Sequence, residues 1–264
     1  MFSAIADTWR VHRVGLALSL ISAVLYFVGF CGFDQFYLSW FCLVPLLWAI
    51  DNENLTRRAA FCYGWAFGTL TVLGGYTWLV GMLRNFGGLS LPLAVLALVL
   101  FSAAHGLLWA VWIWLVHYLS VIRKVRIVWT APAALVVCEW LFPSLFPTYL
   151  ANSQYRVLTF IQSAELFGPT GVSFILAMVS AVIYRALATR RDNPRPFPTA
   201  GVAVCAALVA INFLYGWLAL ADIDDTVAVA PKKIRVGMVQ TNMGIVEKHR
   251  NPGEGLRRHR AQSL

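Results

Sequence analysis

Charge is what this chain has least of. Asp, Glu, Lys and Arg together make up 12% of its 264 residues, against about 25% in an ordinary soluble domain. Apolar residues fill the difference, at 59%, with 11 Trp and 17 Phe. A chain so poor in charge cannot dress itself in a water-compatible surface. A soluble globular fold is excluded, and a polytopic membrane protein is implied. Acids are scarcer than bases, 12 against 21, which leaves a formal charge of +9. Such an excess suggests an anionic partner. Here, however, the bases stand in short loops between apolar runs, the pattern of membrane topology, and nucleic acid is not an expected partner.

Chemistry-bearing motifs are also missing. The five cysteines, Cys31, Cys42, Cys62, Cys138 and Cys205, show no C-x-x-C spacing, and all lie in or beside apolar runs. They read as small hydrophobes, not as disulfides or metal ligands. There is no H-E-x-x-H, no G-x-x-x-x-G-K-[ST] and no G-x-S-x-G, so metalloprotease, P-loop and serine-hydrolase chemistry have no foothold. His105 and His117 share one apolar run, but twelve residues at 3.6 per turn put them on different faces. Both read as core or interface histidines. No cleavable leader is expected, because no A-x-A-like site follows Val14–Phe30 and bulky Phe30 precedes Cys31.

What is present is a series of seven apolar runs: Val14–Phe30, Phe36–Ile50, Ala59–Val80, Leu91–Leu119, Ile127–Phe142, Pro169–Leu187 and Thr199–Ala221. A spanning helix needs about 20 residues. The first two runs are short, with Asp34 between them and Pro45 inside the second. They read either as two crossings or as a re-entrant hairpin, and both return the chain to its starting side. The loops on that side hold Arg10, Arg13, Arg57, Arg58, Arg123, Lys124, Arg126, Arg185, Arg190, Arg191 and Arg195, whereas the opposite loops hold Arg84 and Arg156. Lys and Arg in short loops resist translocation. The expected topology therefore has a cytoplasmic N-terminus, with Asp222 and the residues after it outside, in a periplasm-like space. In the third run, Gly64 and Gly68 stand at small-xxx-small spacing, followed by Gly74 and Gly75, which predicts close helix packing or a kink, with a lipid-binding notch as the alternative.

Five residues are candidate lipid or interface contacts: Glu139, Tyr149, Gln154, Tyr155 and Glu165. Glu139 is the one carboxylate inside an apolar run, and intramembrane acids are costly enough to raise a functional question. The alternative is that it reaches the interface or accepts hydrogen bonds from a neighbouring helix. Pro143–Gly168 is too apolar for a loop and too broken by proline for one helix. It is expected to lie along the outer interface as a ledge, with Tyr149, Tyr155 and Phe160 at headgroup depth, either gripping a headgroup or capping the bundle. Glu165 reads as a headgroup-level or capping residue. No catalytic, cofactor-binding or metal-ligating residue is expected among the 264.

After the seventh run the pattern changes. Ile234, Val236 and Met238 alternate with Arg235 and Gly237, which predicts a strand; Asn242 and Gly244 supply turn chemistry, and a helix is expected from about Gly253. Arg257, Arg258, His259 and Arg260 read either as a patch for anionic lipid or nucleic acid or as a solvated helix face. The fold class is thus an all-α membrane bundle of about seven helices followed by the start of an α/β domain. The divisions fall at residues 1–221, a linker at 222–231, and 232–264.

Four stretches, taken together, resemble the apolipoprotein N-acyltransferases. They are GGYTWLVGMLRNFGG (Gly74–Gly88), APAALVVCEWLFPSLFPTYLANSQY (Ala131–Tyr155), IQSAELFGPTGVSF (Ile161–Phe174) and IRVGMVQTNMG (Ile234–Gly244). One departure is Thr148, which follows Pro147 where the family usually has Trp. The resemblance implies a periplasmic domain of nitrilase fold held by the membrane helices. It also implies a Glu–Lys–Cys triad, in which Cys takes an acyl group from a phospholipid as a thioester and passes it to the α-amine of a diacylglyceryl-cysteine lipoprotein. An activated thiolate splits a difficult acyl transfer into two easier steps. None of the three carries over, because Glu247 and Glu254 fall too early and every Cys lies in or beside a membrane run. The expectation is a membrane domain with the first strand and helix of its partner domain. Catalysis would then be supplied from elsewhere, including a separately encoded C-terminal half. The alternative is a non-enzymatic lipid- or lipoprotein-binding membrane module. A transporter fits less well, for want of internal-repeat symmetry and charged mid-membrane relays.

Overall fold

The computed structural model describes residues 2–30, 32–51, 55–189, 196–229, 234, 236–240 and 242–263. Cys31, Arg190, Arg191, Arg195 and Arg235 lie outside the described residues. The helices follow the apolar runs. α1 covers Phe2–Gly29, and a 3-10 turn at Phe36–Trp40 leads into α2, Val44–Ile50. α3 is Arg57–Gly75, α4 is Trp78–Asn85, and α5, Leu91–His117, ends in a π turn at Tyr118–Ile122. α6 is Ile127–Leu141, α7 is Leu158–Ile161, α8 is Ala164–Ala188 and α9 is Thr199–Ala228. Among the described residues four helices are long and apolar enough to cross a membrane: α1, α5, α8 and α9. The number is five if the broken pair α3 and α4 forms one span. Phe36–Ile50 and α6 are apolar but shorter.

The chain divides into two compact units, Met1–Gly75 with Phe101–Asp222, and Tyr76–Leu100 with Ile223–Leu264. In the larger unit, Phe36–Ile50 packs antiparallel along α1. Ser39 lies against Gly29, and seven residues further on Leu46 N–H donates to Ser22 Oγ at 2.9 Å. At its beginning stands Trp40, whose Nε1–H donates to Gln154 Oε1 at 3.2 Å. Past its end, His117 bonds the carbonyls of Ile50 and Leu55 at 2.9 and 3.1 Å, and Tyr184 O–H donates to Asp51. The segment therefore runs from one end of this unit to the other. By length and composition α1 qualifies as a span and Phe36–Ile50 does not, and both sequence readings return the chain to its starting side.

The core of this unit is aromatic. Tyr26, Phe67 and Trp109 meet edge to face at 5.1–5.9 Å, and Trp109 in turn meets Trp112 at 5.5 Å. Edge-to-face contact matches the positive rim of one ring to the negative face of the next. Trp112 is fully buried, and its indole N–H is satisfied by Ala131 O at 2.9 Å, which ties α5 to α6.

Gly64 and Gly68 let α3 lie directly on α5. A Cβ on Gly64 would stand 2.5 Å from Trp109 O and 2.9 Å from Ala110 Cα, and one on Gly68 would stand 2.5 Å from the Trp109 ring. The small-xxx-small spacing is thus a packing device. Gly64→Ala is expected to force the backbones apart and cost about 1–3 kcal/mol, read as earlier thermal unfolding in detergent. Gly75→Ala, where a Cβ meets nothing within 4 Å, serves as the control and should not unfold earlier. Helix α3 stops at Gly75, as the Gly74–Gly75 pair leads one to expect.

In the smaller unit, α4 ends in a tight turn closed by Leu89 N–H on Leu83 O at 3.2 Å, with Gly88 at φ +64°. Among the described residues the expected strand does not form. Ile234, Val236 and Met238 have no regular structure and are 84%, 75% and 96% exposed. Alternation makes a strand only when a neighbour accepts its ladder of hydrogen bonds, and no strand exists among the described residues to do so. Asn242, one of the two residues with turn chemistry, takes the left-handed conformation at φ +48°. Two short helices follow, α10 (Ile245–Arg250) and α11 (Pro252–Ser263). On α11, Arg257 and Arg258 pair with Glu254 at 2.7 and 2.9 Å. Their hydrogen bonds hold its carboxyl down at about 2. These contacts give the basic run the character of a helix face with its own internal counter-charge.

Candidate functional site: the ledge between helices α6 and α8

Helix α6 ends where Phe142 turns extended ahead of Pro143, which cannot continue a helix. The chain then takes a broken course through a 3-10 turn at Leu150–Gln154 and the single turn of α7. Gly168, at φ +66° and ψ 178°, bends the chain within α8 immediately before Pro169. Only glycine takes that conformation without strain.

Glu139 pins this ledge. It is 6% exposed, and its Oε1 accepts from Leu150 N–H at 2.9 Å and from Ser173 Oγ at 3.1 Å. Ser173 Oγ itself accepts from Ala151 N–H at 3.0 Å. One carboxylate oxygen thus joins α6, the ledge and α8, and satisfies backbone donors that have no helix to enter. Of the two sequence readings of Glu139, the hydrogen-bonding one is met. Its second oxygen, Oε2, is buried with no hydrogen-bond partner among the described residues. Glu139 also lines a cavity of about 140 Å³ together with His105, Ser144, Thr148 and Tyr149. There Ser144 Oγ lies 3.4 Å from His105 Nδ1.

The other expected contacts lie apart from this cavity. Gln154 is fully buried: it accepts from Trp40 Nε1–H, and its Nε2–H₂ donates to Phe36 O and Ser153 Oγ, both at 2.9 Å. It is a clasp between the ledge and the Phe36–Trp40 turn, not a lipid-facing group. Tyr155 is 41% exposed, and its hydroxyl donates to Asp34 Oδ1 while accepting from Arg156 Nε–H at 2.8 Å. Arg156 closes the triangle with a 2.6 Å ion pair to Asp34. Phe160, expected at headgroup depth, is instead fully buried between Trp40 and Phe213, with ring centres 4.8 and 5.2 Å away.

Glu165 is exposed and accepts from Tyr215 O–H on α9. Tyr215 stands on a groove of about 660 Å³ walled by Val136, Phe167, Phe174, Ile175, Leu208 and Ile211. Ser163 and Asn212 line the same groove and bond to each other, and Asn212 Nδ2–H₂ donates to Phe160 O at 2.7 Å. Asp34, Arg156, Ser173 and Asn212 are not site candidates from the sequence, because each acquires its meaning from a partner 22 or more residues away. No group of three or more potential metal ligands occurs among the described residues.

A helical bundle of membrane-spanning character that carries a pinned, broken ledge is the class these features define. The model of the apolipoprotein N-acyltransferase N-terminal domain matches residues 22–182, the stretch containing α2 to α7, the ledge and most of α8. Relatives bearing the name apolipoprotein N-acyltransferase include proteins of Coxiella burnetii, Geobacter metallireducens and Haemophilus influenzae. The first is 30% identical over 246 residues, which are 86% of this chain and 46% of that protein. The second is 27% identical over 216 residues, 80% and 41% of the two chains. The third is 26% identical over 230 residues, 86% and 42%. The chain belongs to the apolipoprotein N-acyltransferase family. It spans a little under half the length of these relatives.

Proposed function

We propose that the chain is the membrane domain of an apolipoprotein N-acyltransferase. In this reading an acyl group moves from a phospholipid to the N-terminal diacylglyceryl-cysteine of a lipoprotein. The supporting observation is that the family's N-terminal domain matches the helical bundle together with its ledge. The base, lysine and thiol of the reaction then lie outside these 264 residues, on a continuous or a separately encoded polypeptide. This chain's part is to hold lipid and acceptor at the outer interface. The apolar groove beneath Tyr215 and Glu165 has the make-up that an acyl chain under a polar headgroup requires.

Seven crossings of an inner membrane follow, with the N-terminus cytoplasmic and the Ile223–Leu264 segment periplasmic. The arginine count of the loops supports that orientation, as does the contact pattern. Arg57 sits over the Tyr118 ring at 5.0 Å, at the same end as Ile50, Leu55 and His117, whereas Arg156 and Asp34 meet at the other. The test is co-expression of this chain with the catalytic half of a relative, fused or separate, in cells lacking the activity. Mass spectrometry of a lipoprotein N-terminus should then show the added acyl chain. A folded, inserted chain that gives none in either format sinks the reading, as does a one-sided reporter after Ser263 that labels only from the cytosol.

A further inference from the structure

At the opposite end of the larger unit from the ledge lies a cavity of about 510 Å³. Among the described residues, Lys124, Arg126, Arg185 and Asp51 are its charged lining, and Asp51 accepts from Tyr184 O–H. Arg185 is the informative one. Its Nη2–H₂ reaches Pro196 O at 3.4 Å, while Nη1 is buried with no hydrogen-bond partner among the described residues. A guanidinium nitrogen shut away from water without an acceptor is costly unless something supplies one. Two helices also start at this cavity. Ile127 and Val128 open α6, whose preceding residue Arg126 gives no side-chain cap, and Thr199 opens the thirty-residue α9. Thr199 N–H already donates to Phe197 O at 2.9 Å, but the other N–H groups of the two first turns and the positive ends of the dipoles favour an anion.

Bases that merely set topology need only be solvated in loops. These line one half-open cavity, and the donors around it are of two kinds, forked guanidinium and helix N-terminal amide. Both suit the tetrahedral oxygens of phosphate. We infer that this cavity binds a phosphate group, carried either by a phospholipid headgroup or by a free phosphate. The site is separate from the ledge and does not depend on the acyl-transfer reading.

The test uses the purified full chain. Retention of phosphatidic acid and of phosphatidylcholine is measured by native mass spectrometry, and binding of inorganic phosphate by calorimetry. Arg126→Gln and Arg185→Gln are each expected to lower phosphate-group binding about tenfold, the worth of one charge-assisted bond. Arg123→Gln removes the same charge from a neighbour that does not line the cavity, and should change binding less than twofold. Displacement of phosphatidic acid by millimolar inorganic phosphate identifies a soluble source; retention in its presence identifies the lipid. Arg126 is exposed, so its variant keeps the test alive if Arg185→Gln does not fold. Equal losses in all three variants, or no loss in the two cavity variants, overturn the site.

Discussion

Glu139→Ala is expected to loosen the ledge, at a cost of about 3 kcal/mol. The substitution leaves two buried groups without their acceptor, Leu150 N–H and Ser173 Oγ–H. An orphaned buried donor costs about 1–3 kcal/mol. Against that stands a gain, since a carboxylate is no longer kept away from water, and hydrogen bonds within membranes average less than in water. The comparison with Glu139→Gln separates the two effects. An amide oxygen can still accept from Leu150 and Ser173, so Gln should lose under about 1 kcal/mol or even gain. Thermal unfolding in detergent reads the total. Hydrogen exchange at the Leu150 and Ala151 amides reads the place, and it should accelerate in the Ala variant and not in the Gln variant. Equal destabilisation by Ala and Gln would mean that the charge matters in itself and that the latch description is wrong. Unchanged exchange at Leu150 in Glu139→Ala would show that the ledge is held by its other contacts, Gln154, Phe160 and the Ser173–Ala151 bond among them.

The same residue shows how far sequence carries. That Glu139 is unusual could be read directly, because a carboxylate inside an apolar run is expensive wherever it sits. That its partners are Leu150 and Ser173 could not, since the ledge folds back over α6 only after two proline-bounded breaks. Helices were legible for a similar reason: the bilayer demands long apolar runs, and all seven runs became helical, the second and third of them in two pieces each. Side-chain depth was not. Phe160 and Gln154 have the composition of interfacial residues, yet Trp40, more than a hundred residues earlier, covers both. The strand at Ile234 failed on the opposite ground. Its local pattern was clear, but a strand is a property of two segments, and among the described residues a second one is absent.

Gly216→Ala carries the other large expected effect. A Cβ at this position in α9 would lie 1.8 Å from Thr159 O and 2.7 Å from Thr159 C. Backbone atoms cannot swing aside as a long side chain can, so α9 and the α7 turn must move apart. Asn212 stands four residues earlier, on the same face of the helix. It bonds Phe160 O and Ser163 Oγ. Displacing the helix therefore breaks these two buried polar contacts as well as the packing. Overpacking costs about 1–3 kcal/mol and each buried contact about 1 more, so a loss of roughly 3–5 kcal/mol is expected. In an open helix the same change is mildly stabilising, because alanine is the better helix former by about 1 kcal/mol. Gly81→Ala in α4, where a Cβ meets nothing within 4 Å, provides that reference. Unfolding measured side by side should move the two variants in opposite directions. The groove supplies a second readout, since Asn212 and Tyr215 line it from the displaced α9. Binding of a fluorescent fatty-acyl probe should fall in Gly216→Ala at temperatures where the protein is still folded. A Gly216→Ala variant as stable as the parent would mean that α9 does not seat against Thr159.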